Sequence, residues 1–130
     1  MKLTLYRADC SGDAKNCVYP HKAAIRTPKD LAAAAAFDHV FANYLNSYRN
    51  IDNFLESDVV PMDCDNDHSE DPKDWYSADA LEEIFADVDH IILPSRHNML
   101  PKNGRAARPR HHILFPIGVC RDAAMYTAVK

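Results

Sequence analysis

The sequence lacks the long apolar runs that would place it in a membrane. Its longest strongly apolar runs, Leu31 to Phe37 and Ile91 to Pro94, are far shorter than the about 20 residues that span a bilayer. The first residues, Met1 to Arg7, alternate like a strand and lack the apolar segment of a signal peptide. We therefore expect a cytoplasmic protein with no membrane partner.

Paired cysteines and internal repeats are also missing. The four cysteines stand at positions 10, 17, 64 and 120, with no Cys-x-x-Cys pair and no zinc-ligand spacing. Reduced thiols of a cytosolic protein are the plain interpretation, and a disulfide between Cys10 and Cys17 is the alternative. With 130 residues and no repeat, the chain is expected to form one compact domain, residues 1–130, large enough for a core of its own.

Bases are nearly absent from one stretch of the chain, and acids are absent from the next. Residues 52–89 carry fourteen acids and a single base, Lys73, whereas residues 94–112 carry five bases, three histidines and no acid. The net charge of −4 argues against a generic nucleic-acid binder. The uneven distribution indicates either two solvated surfaces or a site that holds cations on one side and phosphates on the other.

Hydrophobic periodicity predicts alternating strands and helices. Strands are expected at about 3–8, 57–64, 90–93 and 110–116, and helices at about 27–47, 78–86 and 120–130; residues 17–25 are ambiguous. The first helix has a strong start, since Thr27 can cap it and Pro28 suits its first position. Four aromatic residues at helical spacing are predicted to pack in the core and not to stack on bases: Phe37, Phe41, Tyr44 and Tyr48.

An apolar run enters a cluster of aspartates at Val59 to Asp67. On a strand, Asp63 and Asp65 leave the same face. Two carboxylates so close repel unless a positive charge lies between them, and Mg²⁺, Mn²⁺ and Ca²⁺ favour oxygen ligands. A solvated strand end is the alternative. A calcium loop would use Asp63, Asp65, Asp67 and Asp74, but His68 stands where such a loop needs glycine.

A second motif lies in the basic region, at Pro109 to Pro116. Arg110 and His112 are two residues apart on a predicted strand, so they share a face. A guanidinium that is always charged suits phosphate oxygens when an imidazole lies beside it. A purely structural histidine is the alternative.

The order of the two motifs resembles that of the archaeo-eukaryotic primase superfamily, in its primase-polymerases of phages, plasmids and conjugative elements. The resemblance covers about residues 15–125. It is carried by the segment Tyr48 to Phe54, the segment Met62 to His68, the loop from Ser95 to Arg105, and the segment Arg108 to Pro116.

The resemblance implies metal-dependent nucleotidyl transfer, as primer synthesis or extension on a single-stranded DNA template. Asp63 and Asp65 would hold Mg²⁺ or Mn²⁺, and His112 would contact the incoming NTP or dNTP. Arg110 and Arg108 would bind its phosphates. Template or triphosphate would lie against Arg96, Lys102 and Arg105, and a helicase or another replication protein would be the partner. No chemical role follows for Arg49 and Asn53.

The fold expected is α+β: a twisted, mainly antiparallel sheet with helices packed on it, resembling an incomplete primase core of RRM-like type. The sequence departs from the family at its third motif, because the only acid after His112 is Asp122, at the start of a predicted helix. We therefore expect a fragment or truncated relative that binds metal and nucleotide weakly and synthesises little or nothing. A non-catalytic binding module is the alternative, followed by a calcium-binding structural protein.

Overall fold

The computed structural model describes residues 2–130, which form two compact units. The first unit contains Met1–Val60 and Pro116–Lys130, and the second contains Pro61–Phe115. The expectation of one domain stays a prediction. The helices and strands, in chain order, are β1 (Leu3–Arg7), β2 (His21–Ile25), α1 (Pro28–Ala35), β3 (His39–Val40), β4 (Asn43–Tyr44), β5 (Phe54–Cys64), α2 (Ala78–Ile84), β6 (Ile91–Pro94), β7 (His111–Cys120) and α3 (Ala123–Val129).

Strand β1 is the centre of a three-stranded antiparallel sheet of order β2-β1-β3. Leu3 and Leu5 on β1 are fully buried, and Leu3 pairs with the buried Ile25 of β2. Helix α1 begins with the predicted cap: the Asp30 N–H donates to Oγ1 of Thr27, and the Asp30 carboxylate accepts from the Thr27 N–H. This reciprocal bonding satisfies two N–H groups that a helix start would otherwise leave unpaired.

The prediction that the first helix continues to Ser47 is wrong, since α1 ends at Ala35. The Asp38 N–H donates to the Cys10 carbonyl, and the Asp38 carboxylate accepts from the N–H groups of Gly12 and Asp13. Val40 then pairs with Tyr6 of β1 and joins its buried apolar cluster. Tertiary pairing with β1 therefore outweighs the helix propensity of the alanine-rich segment.

The four aromatic residues of this segment consequently do not share one helical face. Phe37 lies under the guanidinium of Arg7, at 4.4 Å. Phe41 packs edge-on to His39, and Tyr44 is half-buried. Tyr48 is largely exposed, so the prediction that it packs in the core is wrong.

The second sheet has the order β4-β5-β7-β6. β6 and β7 are antiparallel, with Leu93 opposite His112 and Ile92 opposite the fully buried Ile113. The predicted strands at 57–64, 90–93 and 110–116 are confirmed, with β5 and β7 longer than expected. Helix α2 begins after Ser77, whose hydroxyl accepts from the Ala80 N–H, as predicted.

Helix α3 begins directly after Asp122, the residue expected near the start of this helix. The Asp122 carboxylate accepts from the Met125 N–H at 2.9 Å and so caps the helix. Tyr126 is buried, and its hydroxyl donates to the Val59 carbonyl. The helix is thereby fixed on β5 within the first unit.

Mixed helices and antiparallel sheets confirm the α+β class. In residues 2–130 no helix is long and apolar enough to cross a membrane.

In the second unit, the side chain of Asn66 forms hydrogen bonds with three backbone groups. Its side-chain amide donates to the carbonyls of Tyr76 and Pro109, and its side-chain oxygen accepts from the Tyr76 N–H. Asn66 is buried and has a φ of 54°, in the left-handed region that asparagine tolerates better than most residues. It therefore fixes the loop that follows β5.

We predict that Asn66→Ala lowers the free energy of unfolding by about 2–4 kcal/mol, because three partly buried backbone groups lose their partners. Asn103→Ala is the matched control, since Asn103 is exposed and has a φ of 52°. Both variants place alanine in the left-handed region, so the difference between them reports the hydrogen bonds. Urea unfolding measures it, and equal losses would contradict this role of Asn66.

Candidate functional site

The site predicted from sequence lies where β5 ends, beside the start of β7. Asp63 is on β5, and Asp65 directly follows the strand, which ends at Cys64. His112 is the second residue of β7, and Arg110 directly precedes this strand. Because β5 and β7 are neighbours in the sheet, the two motifs meet although they are 49 residues apart at Asp63 and His112.

Asp63 and His112 form a direct pair. Nδ1 of His112 lies 2.6 Å from Oδ1 of Asp63. An ionised carboxylate only accepts hydrogen bonds, so the imidazole donates through Nδ1 and presents Nε2 on its other side. The Asp63 side chain is 70% exposed. The Asp63 carboxylate is therefore accessible from solution.

Asp65 already has cationic neighbours from the protein itself. Nζ of Lys102 lies 3.2 Å from Oδ2 of Asp65, and Nη1 of Arg110 lies 3.7 Å from Oδ1. Nη1 of Arg110 also donates to the Asp65 carbonyl at 3.1 Å. Asp63 and Asp65 were predicted to need a positive charge close by, and Lys102 and Arg110 supply one at Asp65.

Two arginines of the basic segment are fully buried. Nη2 of Arg108 donates to Glu70 at 2.7 Å, Nη1 donates to the carbonyls of Asn66 and Ser69, and the guanidinium lies 4.8 Å from the centre of the Trp75 ring. Nη1 of Arg110 lies 3.1 Å from Oδ1 of Asp67. Buried guanidinium groups require such partners, because an unpaired buried charge is costly.

Four of the acid–base pairs follow one antiparallel register, and the shorter contacts of Arg110 with Asp67 and of Arg108 with Glu70 are offset from it. Each step of two residues forward along the acidic segment is matched by a step of two back along the basic segment: Asp63 with His112, Asp65 with Arg110, and Asp67 with Arg108. Glu70 and Arg105 continue the same progression. The two oppositely charged segments of the sequence therefore neutralise one another in the second unit, an arrangement that neither predicted interpretation described.

A tight turn positions Lys102 and Arg105 beside the acidic segment. Lys102 and Arg105 exchange backbone hydrogen bonds on either side of Asn103 and Gly104, whose φ values are 52° and 74°. Positive φ at both central residues is the geometry that Asn-Gly favours in two-residue hairpin turns. Nη1 of Arg105 then lies 2.7 Å from Glu70. Arg96 is exposed in the loop after β6.

The guanidinium of Arg110 has unmet hydrogen-bonding capacity. Its Nε and Nη2 atoms are buried without a hydrogen-bond partner, as is Nδ1 of His111. Burial lowers the pKa of His111, with a smaller contribution from His112, so neutral His111 is favoured. Nε and Nη2 form one edge of the guanidinium fork, which has the geometry for an oxyanion.

The acids do not gather into a many-ligand metal cage. Within residues 2–130 there is no group of three or more His, Cys, Asp or Glu side chains placed to hold a metal ion. The other calcium-loop positions have protein partners, since Asp67 pairs with Arg110 and the Asp74 carboxylate accepts from Ser69. Asp63 and Asp65 also have protein partners, in His112 and Lys102.

Sequence reasoning missed three contributors to this site: Asn66, Glu70 and the turn at Asn103-Gly104. The Asn-Gly dipeptide is the signal that predicts a hairpin turn. Nothing in the sequence marks Glu70 among its thirteen acidic neighbours. Its role depends on the register between β5 and β7.

Comparison with known proteins found no match: no family model, no curated protein and no solved structure matches the chain.

The lowered pKa of Glu70 should make the free energy of unfolding depend on pH. The hydrogen bond from Arg108 holds the pKa of Glu70 below its usual range, assisted by the charges of Arg108 and Arg105. A carboxyl with a lower pKa in the folded state contributes stability above its unfolded pKa and loses it as the pH falls through the folded pKa. We therefore expect Glu70→Gln to reduce the loss of stability on the acid side.

Urea unfolding of wild type and Glu70→Gln at a series of pH values from neutral to acidic measures this effect. Glu83→Gln, at an exposed position of α2, is the control. The role assigned to Glu70 is wrong if the two variants lose stability in parallel as the pH falls.

Proposed function

We propose that the chain supports metal-dependent nucleotidyl transfer of primase-polymerase type, with NTP or dNTP as substrate and single-stranded DNA as template. The observation that supports this best is the pairing of Asp63 with His112, at 2.6 Å, on neighbouring strands. It joins an acidic and a basic motif at an exposed surface. The resemblance in the sequence supplies the reaction class.

The proposed metal is Mg²⁺ or Mn²⁺, held by Asp63 and Asp65. Their carboxylates suit a hard cation, and Mg²⁺ in proteins commonly binds through one or two carboxylates together with substrate phosphates and water. Two aspartates are thus a sufficient protein contribution. When bound, the metal would assist an in-line displacement by neutralising charge on the phosphates.

The protein's own groups have distinct roles under this proposal. His112, oriented by Asp63, directs Nε2 toward the incoming nucleotide. Lys102 lies beside Asp65 and draws phosphate oxygens to the same surface. Template contacts are proposed for Arg96 and Arg105, as salt-dependent attraction to phosphate.

The buried arginines suit different tasks. The Nε–Nη2 edge of Arg110 can bind a phosphate, which reaches it only after a covering side chain moves, since both atoms are buried. Arg108 uses its guanidinium on Glu70 and on backbone carbonyls. These contacts support a positioning role for Arg108, which fixes the loop after Asp65.

We predict that Asp63→Asn lowers primer extension with Mn²⁺ on single-stranded DNA by about 100-fold or more, because loss of one metal contact commonly costs at least that much. The side chain is exposed, so the fold should be retained. Asp87→Asn, at an exposed position of the same unit, is the control and should extend primers like wild type. Extension by Asp63→Asn at the wild-type rate would show that this surface is not the catalytic site.

A second candidate is a non-catalytic module that binds metal and nucleotide. It is favoured by the Lys102–Asp65 ion pair, which already neutralises one proposed metal ligand, and by Asp122, whose carboxylate caps α3. It predicts that Mn²⁺ strengthens binding of a fluorescent dATP analogue while no nucleotide is consumed. Lys102→Met should then raise Mn²⁺ affinity by freeing Asp65. Turnover of dATP would exclude this candidate, and unchanged Mn²⁺ affinity would contradict its basis.

A further inference from the structure

The first unit contains a cavity of about 420 Å³. None of the residues proposed to be catalytic or to bind metal lines this cavity. Its volume lies within the range of small-ligand sites, about 300–1,000 Å³. Aromatic side chains and cations line it together, with Tyr44, Phe54 and Tyr126 as the rings and Arg49 and Lys130 as the cations. Both the resemblance and the fold left Arg49 without a chemical role.

The aromatic wall is held in place by the protein. The rings of Phe54 and Tyr126 stack, with centroids 5.1 Å apart and an interplanar angle of 21°. Tyr44 meets Phe54 edge-on, at 6.5 Å. The Tyr126 hydroxyl is fixed on the Val59 carbonyl. Because the rings are positioned in advance, a flat ligand can pack on this wall with little ordering cost.

The charge at the cavity is positive. Arg49 and Lys130 contribute to its lining, and the described lining residues include no acid. Burial raises the pKa of Tyr44 more than the nearby charge of Arg49 lowers it, so the hydroxyl remains neutral. The chain reaches Arg49 through Asn46 and Ser47, which both have positive φ. A sparsely populated backbone conformation at two successive non-glycine residues persists only where the surroundings enforce it.

We propose that this cavity binds one nucleotide unit, with the base packed on the wall beside Tyr44 and the phosphate held by Arg49 and Lys130. Bases stack on aromatic side chains whatever their sequence, and basic groups beside them follow the phosphate. The ligand is either a nucleotide within a single strand or a free nucleotide. The site is separate from Asp63 and does not require a divalent metal.

The first test removes the ring that packs on the base. Fluorescence anisotropy of a short fluorescein-labelled oligothymidylate, in buffer with EDTA, should show Tyr44→Ala binding about tenfold more weakly than wild type. Tyr44→Phe keeps the ring and should stay within about twofold. Equal weakening by Tyr44→Phe and Tyr44→Ala would overturn the stacking role.

The second test leaves the aromatic wall intact. Thr127 lines the cavity and Met125 does not, and both are exposed on α3. Thr127→Glu places a negative charge at the cavity and should weaken binding about tenfold, whereas Met125→Glu should change it by about twofold or less. Lys130→Gln and Lys22→Gln form a second pair, in which only Lys130→Gln should reduce the salt dependence of binding. If the members of each pair behave alike, the cavity is not the binding site.

Competition with thymidine monophosphate separates the two sources of the ligand. Displacement of the oligothymidylate by the free nucleotide identifies a mononucleotide site, and failure to displace it identifies a single-strand site. If Thr127→Glu binds the labelled strand like wild type while Asp63→Asn loses primer extension with Mn²⁺, this inference fails and the proposed function stands. If wild type does not bind either probe, the inference also fails.

Discussion

The second unit depends on the neutralisation of one chain segment by another. The Asp63 to Glu70 segment pairs in an antiparallel direction with the Arg105 to His112 segment, and Arg108 and Arg110 are buried within this pairing. An arginine does not lose its charge at any pH that proteins tolerate. Burial of two such groups therefore depends on the acids and carbonyls opposite them.

Several features follow from the sequence because their causes are local. Thr27 and Asp30 form a capping box, Ser77 and Asp122 cap their helices, and the alternating segments form strands. The strands at the two motifs were also predicted, whereas the pairing of Asp63 with His112 between them was not. Each of these predictions depends on residues within one turn or one strand.

The remaining features have distant causes. The alanine-rich segment after Ala35 leaves the helical conformation because Asp38 binds the loop at Gly12 and Val40 pairs with β1, and no local pattern announces either partner. The partners of Asp67 and Glu70 depend in the same way on how β5 and β7 align. The helical spacing of the aromatic residues predicted a longer helix than the structure contains. Tyr44 lies outside that helix and lines a cavity beside Arg49.

The paired charges also act before the chain folds. In the denatured state the acidic and basic segments remain joined by a flexible chain, and their attraction draws them together without fixed structure. At 0.1 M salt, the attraction between charges more than about 10 Å apart is largely screened. The unfolded chain should therefore be compact in dilute buffer and expand as salt is added, so that the amount of surface exposed on unfolding itself depends on ionic strength.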